Sequence, residues 1–163
     1  MRLTVFTDYS LRVLLVLASR TEKLVTISDI AAAFDISHTH LMKVTHVLGK
    51  TSWIDTVRGR NGGMRLAADP RKLKLGDVVR KLEEDFALVE CMGERNQCVL
   101  TGGCGLEVAL CLALDNFFRD LNRYSLADLV DTSPALSGLA MWQQITWKNT
   151  PTKSSTPARR TPK

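Results

Sequence analysis

Between Thr26 and Lys50 the sequence writes two short amphipathic helices and leaves only three residues to turn between them. Thr26 and Asp29 form a Ser/Thr-x-x-acid capping signal ahead of IAAAF, whose Ile30, Ala33 and Phe34 share one side. Asp35-Ile36-Ser37 makes the turn, and Ser37 caps a second helix expected over 38–49. On that helix Leu41, Val44 and Leu48 recur at i, i+3 and i+7, while Thr39, Lys43, His46 and Lys50 occupy the opposite face. Two short helices, a tight turn and a basic outer face make a helix-turn-helix pattern. A solvated amphipathic helix would show the same polarity, so the neighbouring segments weigh in the choice.

The segment after this helix favours DNA. WIDTVRG and MRLAAD flank Arg60-Asn61-Gly62-Gly63, and Asn-Gly between two β-prone runs is a strong hairpin signal. A hairpin after a helix-turn-helix is a wing, and Arg58, Arg60 and Arg65 lie on or beside its loop, where arginines can enter a minor groove. A solvated turn carrying charges is the plainer reading; beside a basic helix face, the wing is preferred.

Net charge makes the same point once it is divided along the chain. The total of +5 equals the charge of residues 148–163 alone, which hold five basic residues and no acid. Residues 1–82 carry 14 basic against 7 acidic side chains, and residues 83–147 carry 3 against 10. A body split this way has a first half suited to a polyanion. The chain has no apolar run near the roughly 18 residues a membrane span needs, and Asp8 and Arg12 break up any secretory h-region, so it is read as cytoplasmic.

Around these motifs the periodicities predict a buried helix over 6–19, a short helix in KLGDVVRKLEED, and a capped helix at Ser125-x-x-Asp128. Leu106, Ala109, Leu110, Ala113, Leu114, Phe117, Phe118 and Leu121 repeat at 3 and 4 spacing over four turns. So long a stripe beside a small winged unit suggests a dimerisation helix, packing within one chain being the alternative. The expected fold class is therefore mainly α with a small β-hairpin wing: a winged helix-turn-helix over 2–82, a cysteine loop over 83–104 and a helical dimerisation region over 105–131. The Pro, Thr, Ser, Lys and Arg of 148–163 predict a disordered basic tail.

All four cysteines, Cys91, Cys98, Cys104 and Cys111, fall within 21 residues. In a chain without a signal peptide, such a cluster reads as metal-binding or redox-active rather than as a disulfide scaffold. The spacing C-x6-C-x5-C-x6-C lacks the close pairs of zinc sites and the two-residue gaps of ferredoxins. Cys111 lies seven residues beyond Cys104, about 10 Å along a helix, so one ion cannot take both. It borders the apolar stripe, where free cysteine behaves as a small hydrophobe. Cys91, Cys98 and Cys104 form the better set, and they leave an iron–sulfur cluster one ligand short. Local acids are Glu90, Glu94 and Glu107. His38, His40 and His46 all sit on the recognition helix, and no catalytic triad order, nucleophile elbow or phosphate loop occurs, so an enzyme is not expected.

FTDYSLRVLLVLAS, TISDIAAAFDIS, LMKV, VRGRNGGMRLA, KLGDVVRKLE and the three-cysteine loop together resemble the iron–sulfur family of winged-helix regulators, over about residues 2–131. FTDY, YSLADLV and the cysteine spacing resemble its nitric-oxide-sensing branch in particular. That resemblance implies a homodimeric repressor of double-stranded promoter DNA holding one iron–sulfur cluster, [2Fe-2S] or [4Fe-4S], per subunit, and releasing DNA when the cluster is nitrosylated. It implies Cys91, Cys98 and Cys104 as ligands, and Asp8 from the partner's first helix as the fourth. Taken alone, Asp8 reads as an i,i+4 pair with Arg12. DNA contacts are expected from Ser37, His38, Thr39, His40 and Lys43, with Arg58, Arg60 and Arg65 on the wing. A related regulator of iron–sulfur or iron homeostasis and a cluster-free thiol-redox repressor are the alternatives.

Overall fold

The structure, a computed structural model, describes residues 2–137. Its centre is α1 (Val5–Ser19), which packs against α3 (His38–Leu48), α4 (Leu75–Leu82), α6 (Leu126–Asp131), α7 (Pro134–Ser137) and β2 (Gly63–Leu66). Val13, Leu14, Val16 and Leu17 are fully buried there and meet Ile30, Leu41, Leu48, Val78 and Leu126 in one core. Complete burial of each such side chain contributes about 1.5–3 kcal/mol.

Two polar residues of α1 are buried with that core, and both are satisfied. The Ser10 hydroxyl donates to the Phe6 carbonyl at 2.8 Å. The Thr7 hydroxyl donates to the Glu83 carboxylate, which also accepts the Thr4 amide at 3.1 Å and the Thr4 hydroxyl at 3.0 Å. An acid at a helix N-terminus is favourable because unpaired amides point at it. Here it comes from the residue just past α4, so the start of α1 is fastened to the point where the acidic segment begins.

The capping signals at the helix-turn-helix are present as expected. Thr26 and Asp29 form a complete capping box at the start of α2 (Ile27–Phe34). Asp35 turns the chain at φ 53°, a left-handed conformation that aspartate tolerates better than most residues. The Ser37 hydroxyl accepts from the His40 amide, and α3 ends one residue before the expected boundary. Leu41, Val44 and Leu48 are buried, joined by Thr45.

The hairpin expected around Arg60-Asn61-Gly62-Gly63 forms, with its connection shifted toward the first strand. β1 (Ile54–Val57) pairs antiparallel with β2 from Ile54↔Leu66 to Val57↔Gly63, so five residues, 58–62, make the connection. The Gly62 amide bonds the Gly59 carbonyl at 3.0 Å, placing Arg60 and Asn61 at the tip. Gly59, at φ +114°, supplies the left-handed step instead of Asn61. Gly62 is needed for space: a Cβ there would lie 2.3 Å from the Val57 carbonyl oxygen. A two-way bridge between Val25 and Met64, at 2.9 and 2.8 Å, hooks the hairpin onto the chain before α2.

Past α4, the cysteine segment contains one short 3-10 turn (Glu90–Met92), and α5 (Gly105–Leu121) begins just after Cys104. The C-terminal end of α5 is tied to α4. The Asp77 amide donates to Asn122 Oδ1 at 3.0 Å, and Asn122 Nδ2 donates back to the Asp77 carboxylate at 2.9 Å. α6 opens on a complete Ser125–Asp128 capping box; the Ser125 hydroxyl and then its amide hold the Asp128 carboxyl below its ordinary range. The expected basic tail at 148–163 lies outside the described residues.

Only the distal part of the predicted α5 stripe is packed. Phe118 is buried against Phe86 and under the Arg80 guanidinium, 4.1 Å from its ring centre. Leu110, Leu114, Phe117 and Leu121 are half-buried. At the other end Leu106, Ala109 and Ala113 are exposed, and so are Val108 and Leu112, which the stripe did not include.

Candidate functional site

The helix-turn-helix and wing present one polar surface. Ser37, His38, Thr39, His40 and Lys43 are all exposed along the N-terminal two turns of α3, and His46 and Lys50 continue that face. The His40 ring lies 6.1 Å from that of Tyr9 on α1. Arg58 and Arg60 are exposed on the wing loop, and among the described residues they and Lys43 form no ion pair. Arg65 differs. It sits on β2 opposite Asp55, whose carboxylate it meets at 3.4 Å, so part of its charge is already answered. Nothing in the local sequence marks that pair, because the partners meet only through the strand register. Sequence reasoning also passed over Met42, which stands 53% exposed on the same helix.

The second feature is the cysteine loop. Cys91 lies in the 3-10 turn, Cys98 six residues past the turn's Met92, and Cys104 caps α5; all three are half-buried. The loop between them is knitted by its own side chains. Asn96 accepts the Cys98 amide at 2.9 Å and donates to Thr101 at 2.8 Å, and the Thr101 hydroxyl donates to the Cys98 carbonyl. Glu90 accepts the Gln97 amide at 2.9 Å. Partial burial pushes the Cys91 thiol up, and the Glu107 carboxylate adds to this, with smaller contributions from Cys98 and Cys104.

Room remains around them. Added Cβ atoms at Gly102, Gly103 and Gly105 would meet nothing within 4 Å. Among the described residues no three His, Cys, Asp or Glu side chains stand close enough to hold a single metal ion. Cys91, Cys98 and Cys104 of this open loop are the donor type, cysteine thiolates, that an iron–sulfur cluster takes. Cys111 is exposed on α5 beside the same groove as Cys104 and Glu107.

Asp8 is engaged elsewhere in the single chain. Arg12 clasps it through both carboxylate oxygens, at 2.8 and 3.2 Å, and the guanidinium is itself stacked near the Tyr9 and Phe34 rings. Both residues are nearly half-exposed, so the carboxylate stays accessible from outside the chain.

A family model described as Rrf2, iron-dependent transcriptional regulator, matches residues 3–132. The chain belongs to the Rrf2 family. Within it, the chain is 48% identical over 132 residues to the HTH-type transcriptional regulator NsrR of Bacillus licheniformis, covering 80% of this chain and 92% of that one. It is 50% identical over 141 residues to NsrR of Geobacillus kaustophilus, covering 85% and 96%. IscR of T. potens shares its fold, with a TM-score of 0.62 at 24% identity over 83% of this chain and 90% of that one. This Rrf2 chain is a DNA-binding transcriptional regulator with a winged helix-turn-helix, not an enzyme. Among the described residues no helix is long and apolar enough to cross a membrane.

Proposed function

We propose that this chain is a cytoplasmic, homodimeric repressor that binds promoter DNA and releases it in response to nitric oxide. Its receptor is one iron–sulfur cluster per subunit, held by Cys91, Cys98 and Cys104 and by Asp8 of the partner subunit. The observation that carries this reading is the open three-thiol loop in the same chain as an exposed, basic recognition helix. When bound, the cluster supplies iron that nitric oxide can attack, most readily where the ligand is a carboxylate rather than a thiolate.

The chain's own residues supply the route from that loop to DNA. Cys98 and Cys104 are set by Asn96, Thr101 and the start of α5, so the loop is ordered before any ligand arrives. Glu83, where the acidic segment leaves α4, grips Thr4 and Thr7 at the start of α1. α1 in turn packs directly on the recognition helix α3. Arg12 orients the Asp8 carboxylate and answers its charge when it is not engaged. A shift of α1 thus reaches α3 through packed side chains, which is the physical form a coupling between two sites requires.

The dimer is argued from α5. Six of its first nine residues, Leu106, Val108, Ala109, Leu110, Leu112 and Ala113, are apolar, and only Leu110 is even half-covered. A helix apolar around most of its circumference needs a partner. A second copy of α5 fits, because two half-sites on DNA call for a two-fold dimer.

Purification without oxygen, followed by visible spectroscopy and DNA-binding titration with and without nitric oxide, tests the proposal. A coloured protein that loses both its original spectrum and its DNA on nitric oxide addition is expected. Colourless protein that binds DNA with zinc or no metal would overturn the sensing half and leave the DNA-binding half standing.

The DNA face has its own check. Lys43→Ala and Arg60→Ala should each flatten the dependence of log K on log salt by about 0.9, the contribution of one phosphate contact. An unchanged slope removes that residue from the backbone contacts.

A further inference from the structure

We infer that Met42 is a specificity-determining residue that reads the 5-methyl group of thymine in the major groove. The inference rests on the DNA-binding reading of α3 and goes beyond it, since none of the polar contacts expected on that helix involves an apolar group.

Two large apolar side chains are exposed on α3, and their surroundings separate them. Val47, 37% exposed, lines a groove with Phe6, Leu82 and the acidic run Glu83, Glu84 and Asp85, whose three carboxylates outnumber the one cation there, Lys81. That side repels a polyanion. Met42, 53% exposed, lines a groove of about 470 Å³ on the opposite flank, shared with Ile27, Thr45, His46, Lys50 and Thr56 of β1. No acid borders it. It lies between the recognition helix and the wing, the two elements that must straddle the duplex together.

Helical geometry puts Met42 one turn from His38 and His46, and Thr39 and Thr45 lie three residues to either side. Docking that brings His38 and Thr39 to base edges brings Met42, on the same side of α3, close to them as well. Its thioether has no hydrogen to donate and accepts weakly. Against a donor or acceptor on a base it would strip water and return nothing. The apolar feature that a base pair offers in the major groove is the thymine methyl. An unbranched, adaptable side chain over a groove that includes Ile27 can close on that methyl.

The test begins with full-length protein, purified without oxygen, selecting sites from a random duplex pool. The selected duplex is then resynthesised with each thymine replaced singly by deoxyuridine, which removes the methyl and leaves base pairing intact. At one thymine per half-site, the replacement should weaken wild-type binding about fourfold, the factor for one lost buried methyl. Met42→Ala should bind the two duplexes equally, with an unchanged salt slope because no charge is altered. Met42→Leu should retain the deoxyuridine penalty. Wild type indifferent to deoxyuridine at every position would overturn the inference, as would Met42→Ala that keeps the full penalty. If no sequence is enriched from the pool, the DNA-binding reading fails and takes the inference with it.

Discussion

Cys98→Ala, purified without oxygen, is expected to be colourless, whereas Cys111→Ala keeps the visible absorption of the wild type. Cys91, Cys98 and Cys104 are the three half-buried thiols of one loop. Three thiolates are already one fewer than a four-iron or two-iron cluster usually takes, so losing one leaves too few ligands to retain it. Cys111 is exposed and lies about 10 Å further along α5 than Cys104, too far to substitute. Cys91→Ala and Cys104→Ala should match Cys98→Ala. Far-ultraviolet dichroism and thermal unfolding should barely change, since the loop contributes nothing to the core formed around α1. Asp8→Ala should stay coloured yet release DNA poorly when nitric oxide is added. A coloured Cys98→Ala protein would exclude that thiol from the ligand set, and normal nitric oxide release by Asp8→Ala would exclude the carboxylate.

The second large effect lies on α5. Leu112→Asp, alone or with Val108→Asp, should convert the proposed dimer to a monomer in sedimentation experiments. Both side chains are 59% exposed in the single chain and lie four residues apart on one helical face. A carboxylate placed there would have to be buried at a two-fold interface opposite its own copy, which is strongly unfavourable. The winged unit should unfold at nearly the wild-type temperature, because neither residue touches its core. DNA affinity should fall by about a hundredfold or more, since linkage of two binding heads is typically worth that factor. Unchanged oligomeric state would show that subunits meet through another surface.

Much of this architecture is legible in the sequence wherever the deciding contacts are local. The capping boxes at Thr26–Asp29 and Ser125–Asp128 are three-residue interactions, and both form. The turn at Asp35 and the cap at Ser37 likewise depend on neighbours, so α3 falls within a residue of expectation. Where conformation depends on a closer balance, sequence and structure part. Arg58 to Gly62 contain two glycines, and the strand register places the left-handed step at Gly59 instead of the Asn-Gly pair. The α5 stripe lies where its periodicity puts it, but periodicity does not tell which turns of a helix outrun the domain they belong to.

Residue spacing and short-range hydrogen bonding are enough to specify the helix-turn-helix, the wing and the basic recognition face. Which distant groups meet is a matter of packing. Packing brings Glu83 to Thr4 and Thr7 across more than seventy residues, and Asn122 to Asp77 across 45. The hairpin register sets Arg65 against Asp55, and packing leaves Met42 open beside the wing. The meetings of Glu83 and of Asn122 with their partners are fixed by how whole elements pack, and no short window of sequence contains both partners.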